Sequence, residues 1–68
     1  MNSLLIHIRQ LSALYGIPLA TLRDQRYRGE GLGALGFLLD GRVMFRRGDV
    51  EEYVAKRERQ DRLDRERL

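Results

Sequence analysis

Between Leu14 and Leu19 the chain ends one helix and starts another with almost no room in between. Ile8, Leu11 and Leu14 recur at helical spacing, with Arg9, Gln10 and Ser12 among them. The run stops at Tyr15-Gly16, where glycine tolerates the left-handed backbone that closes many helices. Pro18 then brings a fixed φ suited to the first turn of a new helix. Leu19 and Leu22 carry a second, mostly polar helix to Arg28, and Gly29 closes it. The pattern therefore predicts helices over 8–15 and from Pro18 to 28, joined by Gly16-Ile17-Pro18. Two short helices on so tight a link form the outline of a helix-turn-helix.

The next segment has a different grammar. Residues 29–36 read Gly-Glu-Gly-Leu-Gly-Ala-Leu-Gly, poor in helix signals and expected to be a flexible loop. Phe37-Leu38-Leu39 and Arg42-Val43-Met44-Phe45 then flank Asp40-Gly41, the strongest short signal for a two-residue hairpin turn. Alternation along that strand puts Val43 and Phe45 toward the core and Arg42 and Met44 on the other face. A third helix follows, with Asp49 as the expected cap and Glu52 completing a capping-box-like pair. Val50, Tyr53 and Val54 give it one apolar stripe. The expected core is Ile8, Leu11, Leu14, Ile17, Leu22, Phe37, Leu39, Val43, Phe45, Val50, Tyr53 and Val54. At roughly 1.5–3 kcal/mol for each large side chain removed from water, such a core sustains a small fold with little to spare. The expected architecture is α+β: a small winged helix-turn-helix, with the hairpin as wing and a C-terminal helix behind it.

Length and cysteine usage bound the alternatives. Sixty-eight residues supply one core, here placed in residues 1–55, with 56–68 as a charged helical extension. The chain has no cysteine, which removes disulfides and thiolate metal sites. Leu4-Leu5-Ile6 is too short for a signal-peptide core or a membrane span, so no membrane partner is expected.

Charge locates the interesting surface. Residues 1–18 carry Arg9 alone, residues 19–48 carry six arginines against three acids, and residues 49–68 carry six basic against seven acidic groups. The basic excess thus sits in the middle of the chain. Twelve of the thirteen basic residues are arginine, whose planar donor array suits phosphate and guanine edges better than the point charge of lysine. The second helix offers Thr21, Arg23, Gln25, Arg26, Tyr27 and Arg28. Glutamine can read adenine edges, arginine can read guanine or hold phosphate, and tyrosine can donate to phosphate. Arg42, Arg46 and Arg47 flank the hairpin and are candidates for phosphate contact, which positions a protein without reading sequence. Leu22 and Tyr27 also have structural readings, and Asp24 can orient a neighbouring arginine.

From Ile8 to Val54 the chain resembles the small excisionase-like winged-helix proteins of the MerR superfamily. The resemblance is carried by Leu11-Ser12-Ala13-Leu14-Tyr15-Gly16-Ile17, Thr21-Leu22-Arg23, Arg26-Tyr27-Arg28-Gly29-Glu30-Gly31, Gly41-Arg42-Val43-Met44-Phe45-Arg46-Arg47 and Asp49-Val50-Glu51-Glu52-Tyr53. Gln25 stands where such proteins often place an aromatic, and Pro18 where they often place a hydroxyl cap. The resemblance implies a second helix in the major groove of double-stranded DNA and a wing on the backbone or minor groove. It implies an excision factor that binds and bends attachment-site DNA, with an integrase and further copies of itself as partners. A promoter-acting regulator would use the same surface. Either role implies a cytoplasmic, nucleoid-associated protein of a bacterial or phage-infected cell.

Other motifs yield to plainer readings. Gly31-Leu32-Gly33-Ala34-Leu35-Gly36 matches a phosphate-cradling string, but that cradle needs a strand before it and a helix after it. Here a helix precedes and a hairpin follows. His7, the single histidine, has no second ligand at metal spacing and falls at the start of the first helix. Capping accounts for Asp49 and Glu52. No catalytic constellation can be assembled, so the chain is read as a non-enzyme without cofactor or metal. The segment from Lys56 to Arg67 pairs opposite charges four residues apart, as a solvated helix does, with a docking segment for a protein partner as the alternative.

Overall fold

The computed structural model describes residues 4–67. In order these form strand β1 (Leu5–His7), helix α1 (Ile8–Tyr15), helix α2 (Leu19–Arg28), a 3₁₀ turn (Leu32–Leu35), strands β2 (Phe37–Leu39) and β3 (Arg42–Arg46), and helix α3 (Arg47–Arg67). The protein is a small α+β fold of three α-helices and a three-stranded antiparallel sheet in the order β1-β3-β2. No helix among the described residues is long and apolar enough to cross a membrane.

The step from α1 to α2 is braced from within. Gly16 closes α1 in the left-handed conformation, and its N–H donates to Ser12 O. Ile17 N also donates to Ser12 O at 3.2 Å, while Ser12 Oγ donates to Ile17 O at 2.5 Å. Helix α2 starts without a side-chain cap; instead Pro18 O accepts from Thr21 N and Leu22 N. At the other end of α1, His7 Nδ1 accepts from Arg9 N at 3.1 Å, so an imidazole does the work usually given to a serine or aspartate cap.

The sheet is pinned by β3, which pairs with both neighbours. Asp40 and Gly41 both have positive φ, as the tight turn between two twisted strands requires. That turn sets the register Leu39↔Arg42, Leu38↔Val43 and Phe37↔Met44. Strand β1, which the apolar run Leu4-Leu5-Ile6 did not reveal, pairs Leu5↔Arg46, Ile6↔Phe45 and His7↔Met44.

Ile6, Ile8, Leu11, Leu22, Leu32, Phe45 and Val50 form the core, with Ile17, Leu19, Leu35, Val43, Tyr53 and Val54 packed around it. Three expected core residues lie elsewhere. Directly paired residues share a sheet face, so Phe37 and Leu39 stand with Met44 and Arg42 opposite the buried Phe45. Leu14 is 60% exposed, because each three-residue step falls about 60° short of a full turn and two steps from Ile8 carry it to the rim.

Two further expectations are corrected. The glycine-rich segment is not a loose loop, since Leu32 and Gly33 are buried against α2. A Cβ on Gly33 would stand 2.2 Å from Leu22 O and 2.8 Å from Gln25 Cβ, so only glycine lets the two backbones approach this closely. Helix α3 begins at Arg47 rather than after Asp49, which places Asp49 within its first turn. The Arg47 N–H, one of the donors a helix start leaves without an intrahelical acceptor, donates to Leu4 O at 2.9 Å, just before β1. Beyond Ala55 every described residue of α3 is exposed, and the helix runs on without a break at the expected boundary.

Candidate nucleic-acid interface

Helix α2 commits little of its circumference to the core. Leu22 is its one buried residue and Leu19 is half-buried beside it. At 3.6 residues per turn, Ala20, Asp24 and Tyr27 point away from Leu22, with Arg23 on one flank and Arg28 on the other. All five are exposed, and Tyr27 keeps 91% of its surface in solvent. Burying so little of a ten-residue helix leaves one polar, arginine-bearing face with no structural use inside the molecule.

That face is partly pre-ordered. Arg28 Nε lies 3.1 Å from Asp24 Oδ2 and 3.3 Å from Oδ1, one helical turn apart. Both side chains are more than half exposed, so the pair adds little stability, on the order of 0.3–0.5 kcal/mol. Its consequence is geometric: the carboxylate holds one edge of the guanidinium and leaves the other edge to donate outward.

Gln25 and Arg26 belong to a different surface. Gln25 is half-buried, and its Oε1 accepts from Gly33 N at 2.9 Å, which ties the 3₁₀ turn to α2. The side chain expected to read an adenine edge is therefore engaged inside the fold. Arg26 is half-buried too, and its Nε is shielded from solvent with no acceptor among the described residues. Thr21 is exposed in the first turn of α2.

The hairpin lies beside the Arg23 flank. Arg23, Arg42 and Gly41 line one cleft together with His7 and Arg9 at the start of α1. Arg9 was not among the sequence candidates. Its signal there was isolation, as the one charge in the first eighteen residues, with no acid nearby to pair it. Arg46 and Arg47 are not part of this cluster. Arg46 ends β3, about 13 Å along the strand from Arg42, and Arg47 opens α3 directly after it. Arg46 packs its guanidinium 5.8 Å from the Phe37 ring centroid, and Arg47 lines a groove with Ile6, Leu14, Tyr15 and Glu51.

On α3 the ion pairs Glu52–Lys56, Glu58–Arg62 and Asp61–Arg65 form a ladder of exposed i,i+4 contacts. Among the described residues no group of three or more His, Cys, Asp or Glu is placed to hold a metal ion. No protein-family model, curated protein or solved structure matches the chain.

Proposed function

We propose that this protein is a winged helix-turn-helix reader of double-stranded DNA, and that it acts as an excisionase-type accessory factor. In this reading α2 enters the major groove, β2–β3 is the wing, and α1 braces the pair. The observation that carries the proposal is the outward face of α2: Arg23, Tyr27 and an Asp24-held Arg28, exposed beside a hairpin whose Arg42 meets the Arg23 flank. A helix with its side chains is about 10–12 Å across and the major groove about 12 Å wide, so α2 fits that groove and the hairpin is left to meet the backbone.

The chemistry divides between the parts. Arg28, with one edge fixed by Asp24, is suited to a bidentate contact with a guanine edge. Tyr27 and Thr21 can donate to phosphate or base, and Arg23 and Arg42 supply charge to the backbone. So small a domain gains influence by deforming DNA, because a bend brings separated recombinase sites together. The integrase is the partner that such a bend would serve, and further copies along the site would extend it.

Selection from a randomised duplex pool, followed by end-to-end energy transfer on the selected duplex, tests both halves of the proposal. The expected result is an enriched sequence whose ends draw together when the protein binds. Absence of enrichment would refute DNA reading, and enrichment on a straight duplex would refute the architectural role.

A further inference from the structure

The cleft behind the Arg23 flank has a composition that the reading of α2 does not explain. It is about 270 Å³ in volume and is walled by Arg9 from α1, Arg23 from α2 and Arg42 from β3, with His7 and Gly41 between them. The three arginines are exposed, and none is in an ion pair or side-chain hydrogen bond among the described residues. No carboxylate lines the cleft. Elsewhere Arg28, Lys56, Arg62 and Arg65 are each ion-paired to an acid one helical turn away. Three like charges brought together from three elements repel one another until an anion enters.

Building on the DNA-binding proposal above, we infer that this cleft seats one backbone phosphate of the bound duplex, held by Arg9, Arg23 and Arg42. Guanidinium groups can only donate, so the occupant must present several acceptor oxygens at one point, as a phosphodiester does. No Phe, Tyr or Trp ring lines the cleft, and the one imidazole there, His7, is engaged through its Nδ1 at the start of α1. The cleft is open to solvent and has room for a phosphodiester group. The grip does not come from the end of α1, because the Arg9 N–H is already engaged by His7 Nδ1. A phosphate held from three elements at once fixes how deep α2 sits and where it begins along the groove. Arg9 is thus a positioning contact, and it extends the DNA surface onto α1.

The test uses the full chain and the duplex it selects, titrated at salt concentrations between roughly 50 and 200 mM. Arg9→Ala is compared with Arg59→Ala, which removes the same charge from an exposed position on α3. Arg9→Ala should weaken binding roughly tenfold and make the slope of log affinity against log salt shallower by about 0.9, while Arg59→Ala changes neither. Single methylphosphonate substitutions along the duplex should reveal one phosphate whose neutralisation weakens the wild type distinctly more than it weakens Arg9→Ala, which keeps only the Arg23 and Arg42 contacts. If Arg9→Ala matches the wild type in affinity and slope, or loses equally at every phosphate, the cleft assignment is overturned while DNA binding stands. A wild type that selects no duplex overturns both. Melting curves of the two variants should overlay the wild type, which separates a lost contact from a lost fold.

Discussion

Replacing Gly33 by alanine adds one methyl group where the 3₁₀ turn lies against the backbone of α2. The new Cβ would lie 2.2 Å from Leu22 O, 2.8 Å from Gln25 Cβ and 3.0 Å from Arg26 N. Two of these atoms are backbone within α2, so no side-chain rotation relieves the clash. The 3₁₀ turn must lift away, which loosens the buried Leu32 and stretches the Gln25–Gly33 hydrogen bond. Overpacking of this kind costs about 1–3 kcal/mol, and losing a half-buried hydrogen bond adds about 1. A domain of this size has a total stability on the order of 3–10 kcal/mol, and each kilocalorie moves its midpoint by about 4–8 °C. Thermal melting followed by far-ultraviolet circular dichroism should therefore show Gly33→Ala melting at least 10 °C (roughly) below the wild type, or failing to fold. Gly48→Ala is the matched control: its Cβ meets nothing within 4 Å, and Gly48 sits in the first turn of α3 without a positive φ. That change should add about 0.5 kcal/mol and so raise the midpoint by about 2–4 °C, through a less flexible unfolded chain. A Gly33→Ala midpoint within about 2 °C of the wild type would refute the reasoning, because 2 °C is under half a kilocalorie.

Other outcomes follow from the same structure. Gln25→Ala should cost about 1 kcal/mol of stability by freeing Gly33 N, yet leave base preference on selected duplexes unchanged, as read by melting and by binding. Asp24→Ala should hardly shift the midpoint, since its partner is exposed, but it should flatten base preference where Arg28 docks; a selection logo that stays as sharp as the wild type's would contradict that. His7→Ala should destabilise by about 1 kcal/mol through the lost cap, and His7→Asn should recover most of it in the same melting assay. Truncation after Ala55 removes no core residue, so the midpoint should move by only a few degrees; a collapse of stability would show that the exposed ladder of α3 supports the fold.

What the sequence disclosed depended on how local each feature was. Helices α1 and α2 were legible because Gly16, Pro18 and Gly29 punctuate them, and the hairpin because Asp40-Gly41 dictates its own turn. The register is legible in the same turn. A two-residue turn forces Phe37 opposite Met44 and Leu39 opposite Arg42, so an inward Val43 and Phe45 require Phe37 and Leu39 to face outward. Strand β1 was hidden for a different reason. Three residues have no period of their own, and they become a strand only because β3, some forty positions later, offers an unpaired edge. The order in the glycine-rich segment was equally non-local, since it rests on Gly33 fitting against Leu22 O and on a hydrogen bond from a residue that looked like a base reader. Among the candidate residues, Arg23, Tyr27, Arg28 and Arg42 were visible as exposed chemistry on predictable elements. Arg9 was not, because only the folded chain brings the start of α1 beside the hairpin turn.

The central claim is that the exposed face of α2 reads duplex DNA, and fluorescence anisotropy of a labelled duplex against a scrambled competitor tests it most directly. Across rising salt the wild type should prefer the selected duplex and lose affinity steeply for both, while Arg28→Ala narrows the gap between them and Arg23→Ala weakens both alike. Equal and feeble binding to the two duplexes at the lowest salt, unchanged by either substitution, would contradict the account.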